Sequence, residues 1–249
     1  MLSVYWNLVK HDLKYRSNKN FNWKTFRFWT YVYCILFIIG VFGVFTYGSF
    51  HWKINLTTIW YFLWILPFFT FGMAIGKLKD EFKNGTYGWW LTLPYPRLTL
   101  ILAKLSACAI QVVQIIIGIF VLITVLGGYI SFLSPEGSMD RFVNFVKVGL
   151  TWNVIVILFV PIMLSLGLVV GVLVQSSLKP FLGFFWLLWG LFWVFFNVFG
   201  TKDNFGFFQS FFQTNPIRLE TITTILTSWI LSFLILILMA KVLEKYIKL

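Results

Sequence analysis

Apolar positions gather into six long runs free of Asp, Glu, Lys and Arg, at about 28–50, 54–76, 105–130, 150–174, 180–200 and 221–240. A helix needs about 20 predominantly apolar residues to cross the hydrocarbon core. The pattern therefore predicts an all-α integral membrane protein with six transmembrane helices. The third and fourth charge-free runs extend to residues 135 and 178, longer than one bilayer thickness, so those helices are expected to tilt or project. Two shorter amphipathic elements lie outside the runs. Leu2, Trp6, Val9 and Leu13 recur at helical spacing, with Asn7, Lys10, His11 and Lys14 opposite. That predicts a helix lying in the cytoplasmic interface. It can serve as a connecting helix packed on the bundle and a partner, or simply as a basic anchor. Phe207, Phe208, Phe211 and Phe212, with Gln209 and Gln213 opposite, predict a re-entrant stretch at 203–218, ended by Asn215-Pro216.

Composition agrees with this pattern. The chain is 59% hydrophobic and 11% charged, against about 25% charged in a soluble domain, and its mean hydropathy is +0.85. The net charge of +12 sits in short loops beside apolar runs, which suits anionic headgroups and not a nucleic-acid surface. Fifteen Lys and Arg fall on one side of the predicted membrane and five on the other. The positive-inside rule puts the fifteen in the cytoplasm, together with both termini and the loop after the second span. The first run has no small-residue cleavage pattern after it and is expected to act as a signal anchor. Cys34 and Cys108 lie inside apolar runs, which argues against a structural disulfide, and His11 and His51 are too far apart to suggest a metal site. The expected organisation is a cytoplasmic interfacial helix, 1–27, followed by a six-span domain, 28–249.

The predicted spans carry no ionisable side chain of the kind that ion-coupled transporters and intramembrane enzymes use. Their main polar residues are Gln111, Gln114, Asn153 and Asn197. Interhelical hydrogen bonds are the expected role for these, and a substrate path through Gln111 and Gln114 is the alternative. Trp186, Trp189 and Trp193 form one stripe on the fifth run. They fit either a path for amphipathic cargo or a lipid-facing surface. Gly72-x-x-x-Gly76 and Gly167-x-x-x-Gly171 allow close helix approach, within the chain or between copies. Gly76-Lys77 lacks the spacing of a phosphate-binding loop, so any ATP-driven step requires another chain.

The segment 77–104, KLKDEFKNGTYGWWLTLPYPRLTLILAK, holds five basic residues (Lys77, Lys79, Lys83, Arg97, Lys104) and the acids Asp80 and Glu81. The second helix is expected to continue through Lys83, with Asn84-Gly85 as a left-handed helix end. Thr86 suits the N-cap of a short helix from Tyr87 to Leu93. Trp89 and Trp90 suit the headgroup level. Pro94 and Pro96 end that helix, and Pro96 can open the next. Arg97 and Lys104 are expected to flank the third span at the inner interface. A short helix braced by turns on both sides transmits a push without melting the spans. A surface-adsorbed loop fits the same residues.

Glu81, Gly85-Thr86, Leu91-Thr92-Leu93-Pro94, Arg97 and Ala103-Lys104 together resemble the cytoplasmic segment of ABC-2 type permeases, the membrane subunits of ATP-binding cassette exporters. The six-span layout, the N-terminal interfacial helix and the re-entrant stretch are similar too. Within the family, the chain most resembles permeases that export phenol-soluble modulins, the amphipathic cytolytic peptides of staphylococci. Bacitracin- and lantibiotic-resistance permeases look similar. The resemblance implies a bacterial cell-membrane half-transporter that pairs with a second copy or a paralogous permease and engages two ATPase subunits. Those subunits would bind ATP and Mg; this chain would hold no cofactor and would not itself be an enzyme. Asp80, Glu81, Gly85, Thr86 and Arg97 would couple to the ATPase, and the cargo would be an amphipathic peptide. An exporter of lipid or drug, or a non-transporting immunity or sensor protein that binds toxic peptides, would use the same features.

Overall fold

The computed structural model describes residues 2–14, 56–85, 88, 92–133, 138–183, 186–187 and 219–246, and, between 28 and 48, residues 28, 31–33, 35–36, 39–40, 43–44 and 46–48. Regular structure among the described residues is entirely helical. The elements are α1 (Leu2–Lys14), a 3-10 helix (Leu56–Trp64) leading directly into α2 (Ile65–Lys83), α3 (Arg97–Leu133), α4 (Met139–Gln175) and α5 (Leu219–Tyr246). Among the described residues, three stretches are long and apolar enough to cross a membrane: Arg97–Ser131, Met139–Gln175 and Ile225–Glu244. They fall where the third, fourth and sixth apolar runs predict spans.

The predicted boundaries need correction in three places. The third helix starts at Arg97, within one residue of the opening expected at Pro96 but well ahead of the span start near 105, and the fourth starts at Met139, not near 150. The charges that seemed to end the spans lie inside the helices. Helix formation tolerates Lys and Arg readily, and at 37 residues each these helices are about 55 Å long against a hydrocarbon core of about 30 Å. Ser138 caps α4: its Oγ accepts from the Arg141 N–H at 3.3 Å, and Asp140 occupies the first turn. The run 54–76 is split, with 3-10 geometry before Ile65 and α geometry after it. Pro67 lies in the first turn of α2, just after the change from 3-10 to α geometry, and its carbonyl accepts from Thr70 Oγ1 at 2.7 Å. Between 28 and 48 the described residues are helical, as are 181–183 and 186–187. The re-entrant stretch 203–218 lies outside the described residues.

The helices divide between two compact units, and α3 and α4 each contribute a part to both. In one unit (Met1–Lys14, Leu66–Val112, Leu158–Leu249), α1 packs on α3 through Val9, Ala103 and Ala107, flanked by Tyr5, Leu8, Leu13 and Ile110. Gly167 and Gly171 bring α4 against α2. A side chain at Gly167 would meet the Phe71 carbonyl oxygen at 2.5 Å, and one at Gly171 would meet Leu78 at 2.9 Å. Gly167-x-x-x-Gly171 is thus an intramolecular seam, whereas Gly72 and Gly76 have open space where a Cβ would stand. Both contacts keep the same offset in sequence, so α2 and α4 run parallel. The last helix is also parallel to α4: Trp229 Nε1 donates to the Leu158 carbonyl at 2.8 Å, and Ser232 Oγ to the Pro161 carbonyl at 3.0 Å.

In the other unit (Tyr15–Ile65, Val113–Ile157), α3 and α4 run antiparallel, with Gly127 against Phe145 and Gly128 against Phe142. Trp60 is fully buried among Phe120, Phe145 and Gly149. Its indole N–H donates to the Phe145 carbonyl at 2.9 Å.

Candidate functional site

The candidate site is the elbow between α2 and α3 and what supports it. α2 ends where the sequence predicts. The Asn84 N–H donates to the Asp80 carbonyl at 3.0 Å and the Gly85 N–H to the Phe82 carbonyl at 3.3 Å. Gly85 has φ +70°, a left-handed conformation that costs an L side chain about 1–2 kcal/mol. Of the expected short helix from Tyr87 to Leu93, Gly88 and Thr92 are described as helical and Leu93 as a bend; Thr86 and the other residues to Leu91 lie outside the described residues. The chain then turns at Leu93–Tyr95, with the Tyr95 N–H on the Leu93 carbonyl at 2.8 Å. The Pro96 carbonyl takes the N–H groups of Thr99 and Leu100 at 2.9 and 3.3 Å. Pro96 is therefore the residue just before α3, which starts one position later than expected. Asn84, Gly85, Pro94, Tyr95 and Pro96 are exposed.

Beneath this exposed turn lies a buried ionic cluster. Lys104, expected at the interface, is only 2% exposed. Its ammonium donates to Glu81 Oε1 and lies 3.5 Å from Asp12 Oδ2. Lys77 Nζ donates to the Asp12 main-chain carbonyl at 3.5 Å, and His11 Nδ1 stands 3.7 Å from Asp12 Oδ1. Removing an ion from water costs several kcal/mol unless partners compensate, and here the compensation comes from α1 and α2 together. Burial pushes the Glu81 carboxyl above its ordinary range, and the Lys104 ammonium opposes that shift. Beside the cluster, the Tyr5 hydroxyl pairs with Ser106 Oγ and donates to the Leu102 carbonyl at 3.4 Å.

The remaining predicted residues are placed unequally. Glu81 turns towards Lys104, while Asp80 and Arg97 are half-buried at the two ends of the elbow. Gln111 is half-buried and Gln114 exposed on α3. Trp186 is exposed and meets Phe71 edge-on at 6.2 Å; Trp189 and Trp193 lie outside the described residues. The polar side of α1 is as expected, with Asn7, Lys10, His11 and Lys14 exposed. Its packed side keeps Val9 and Leu13 of the predicted stripe but not Trp6, which is 47% exposed, and adds Tyr5, Leu8 and Asp12. Sequence reasoning missed Tyr5, Asp12 and the inward role of Lys104. The available signal was the small-residue run Ala103, Ser106, Ala107 around Lys104, which leaves room for another helix to approach.

The arrangement contains an exposed turn, a left-handed glycine at its start and a clamped base below, which makes it suited to receive force. A family model described as ABC-2 family transporter protein matches residues 38–203, more than half of the chain and including the elbow. No curated protein and no solved structure matches it.

Proposed function

This chain belongs to the ABC-2 transporter family, and from that premise we propose that it is the permease subunit of an ATP-driven exporter, worked by a soluble ATPase through the α2–α3 elbow. It is a multi-pass membrane protein. The observation that carries the reading is the family match across the elbow, joined to its exposed residues Asn84, Gly85 and Pro94 to Pro96 and the ionic base.

Six spans with cytoplasmic termini complete the proposal, and helix direction supports them. α4 and α5 run parallel, so if both cross the bilayer the chain must cross back between residues 176 and 218. The apolar run 180–200 is the stretch there long enough to do so. α2 and α4 are parallel for the same reason, with α3 as the return.

In this reading, two permeases, identical or paralogous, each engage one ATPase subunit, and ATP and Mg are bound there. This chain performs no chemistry of its own. Asp80, Gly85, Thr86 and Arg97 lie on or beside the contact, and Glu81 supports it from within. The cargo is an amphipathic peptide, as for phenol-soluble modulin exporters of Gram-positive bacteria. Apolar surface with isolated polar groups, such as Gln114 beside exposed Ile115 and Ile117 on α3, suits such a molecule, as does the exposed Trp186. Inside-out vesicles holding the permease and its ATPase test this directly. ATP should drive uptake of a labelled amphipathic helical peptide, and a hydrolysis-dead ATPase should abolish it. Peptide binding that is equal with and without hydrolysis would instead support an immunity or sensor protein, and uptake of lipid alone would move the cargo to lipid.

A further inference from the structure

We propose that Lys104 is a positioning residue whose one ammonium is shared between Asp12 of α1 and Glu81 of α2, locking α1 to the elbow. The lock is a statement about this fold alone; its use, carrying ATPase movement into α1, rests on the functional reading above.

Three observations support sharing over a simple α2–α3 pair. Lys104 reaches both acids from a buried position, with Asp12 Oδ2 at 3.5 Å and Glu81 Oε1 in direct contact. An ammonium has three donors, so two acids can be served at once. Secondly, Asp12 lies on the packed face of α1, one turn from fully buried Val9. Its side chain is 17% exposed, and a solvated acid would have no reason to face inward there. Thirdly, α1 has only 13 residues and is marginal as an isolated helix. Val9 packs on Ala103 and Ala107, with Tyr5, Leu8, Leu13 and Ile110 around them. That apolar packing holds α1 to α3, and the shared ammonium is what ties it to α2 as well. The charges around the cluster are near balance. Lys77 approaches Asp12 through its main chain, and His11 stands on the exposed side of the same carboxylate.

A charge-inversion series in full-length protein in lipid nanodiscs tests the sharing, read by hydrogen exchange at the α1 amides. Asp12→Asn leaves the Glu81–Lys104 pair intact. It should speed α1 exchange by about tenfold, while α4 amides change by less than about twofold. Glu81→Lys with Lys104→Glu restores a pair between α2 and α3 but sets Glu against Asp12, and α1 should remain fast. Adding Asp12→Lys to that pair should return α1 to within about threefold of the native rate. A mere structural α2–α3 pair predicts a different pattern, with α1 slow in Asp12→Asn and in the swapped pair and unaffected by the third change. That pattern would overturn the proposal. If the swapped protein fails to accumulate, the Asp12→Asn result decides alone. ATPase copurification with the native protein is measured in parallel. Its absence would sink the functional reading and leave the exchange result standing.

Discussion

Trp60→Ala is expected to lower stability by about 3 kcal/mol, at the low end of the range for truncating a large buried aromatic. The side chain has no exposed surface, stacks on Phe120 with ring centroids 5.6 Å apart, and meets Phe145 at 4.9 Å. Its indole also fills the space a side chain would occupy at Gly149. Truncation removes all these contacts and leaves a cavity between helices that are already close. The low end applies because apolar side chains gain less by leaving lipid than by leaving water, so packing carries most of the loss. Trp60→Phe keeps much of the packing and gives up the hydrogen bond to the Phe145 carbonyl. It should cost about 1 kcal/mol. The fraction of monodisperse protein after a temperature ramp in detergent measures both. Equal midpoints for the native protein and Trp60→Ala would show that this cluster does not hold its unit together.

Gly167→Leu is expected to have an effect of similar size through the opposite fault. The nearest neighbour of a new Cβ is the Phe71 carbonyl oxygen at 2.5 Å, with the Ala74 methyl at 2.7 Å. A flexible side chain could turn away from such a clash, but a backbone carbonyl within a helix cannot. α2 and α4 must separate, which breaks the seam continued at Gly171. Overpacking typically costs about 1–3 kcal/mol, and the rigid neighbour puts this site at the upper end. Gly72→Leu is the matched control, because nothing lies within 4 Å of a Cβ built there. The same temperature ramp should show a clear loss for Gly167→Leu and little change for Gly72→Leu. If the two fall equally, the seam is misassigned.

Much of this fold could be read from apolar patterning because the bilayer imposes so simple a demand. The ends of α2 and α4 were legible: Asn84-Gly85 stops one helix, and the fourth apolar run ends within a few residues of Gln175. The start of α3 was legible through Pro96, but the start of α4 and the length of both helices ahead of the apolar runs were not, because Arg97, Lys104, Arg141 and Lys147 looked like limits of spans. They limit the apolar surface, which is a different thing from limiting the helix. The packed face of α1 was read only in part, at Val9 and Leu13, for a related reason. Leu2, Trp6, Val9 and Leu13 have the right period for a lipid-facing stripe, but the neighbour is a helix carrying a buried lysine. Asp12 and Tyr5 are wanted inside only because Lys104 and Ser106 are there. That pairing joins residues 92 positions apart in the chain, and no local pattern encodes it. Glu81 illustrates the consequence for the candidate site. From sequence it is an acid offered to a partner, whereas in the structure it supports the elbow from inside.

The central claim is that a soluble ATPase engages the turn at 84–96 from the cytoplasm. Tyr95 is exposed there, so a Tyr95→Cys variant in a Cys34→Ser, Cys108→Ser background gives a single reporter. With a membrane-impermeant thiol reagent, it should label in inside-out vesicles and stay unlabelled in intact cells, and bound ATPase should protect it. Labelling from outside intact cells, or full labelling with the ATPase stably bound, would contradict the claim.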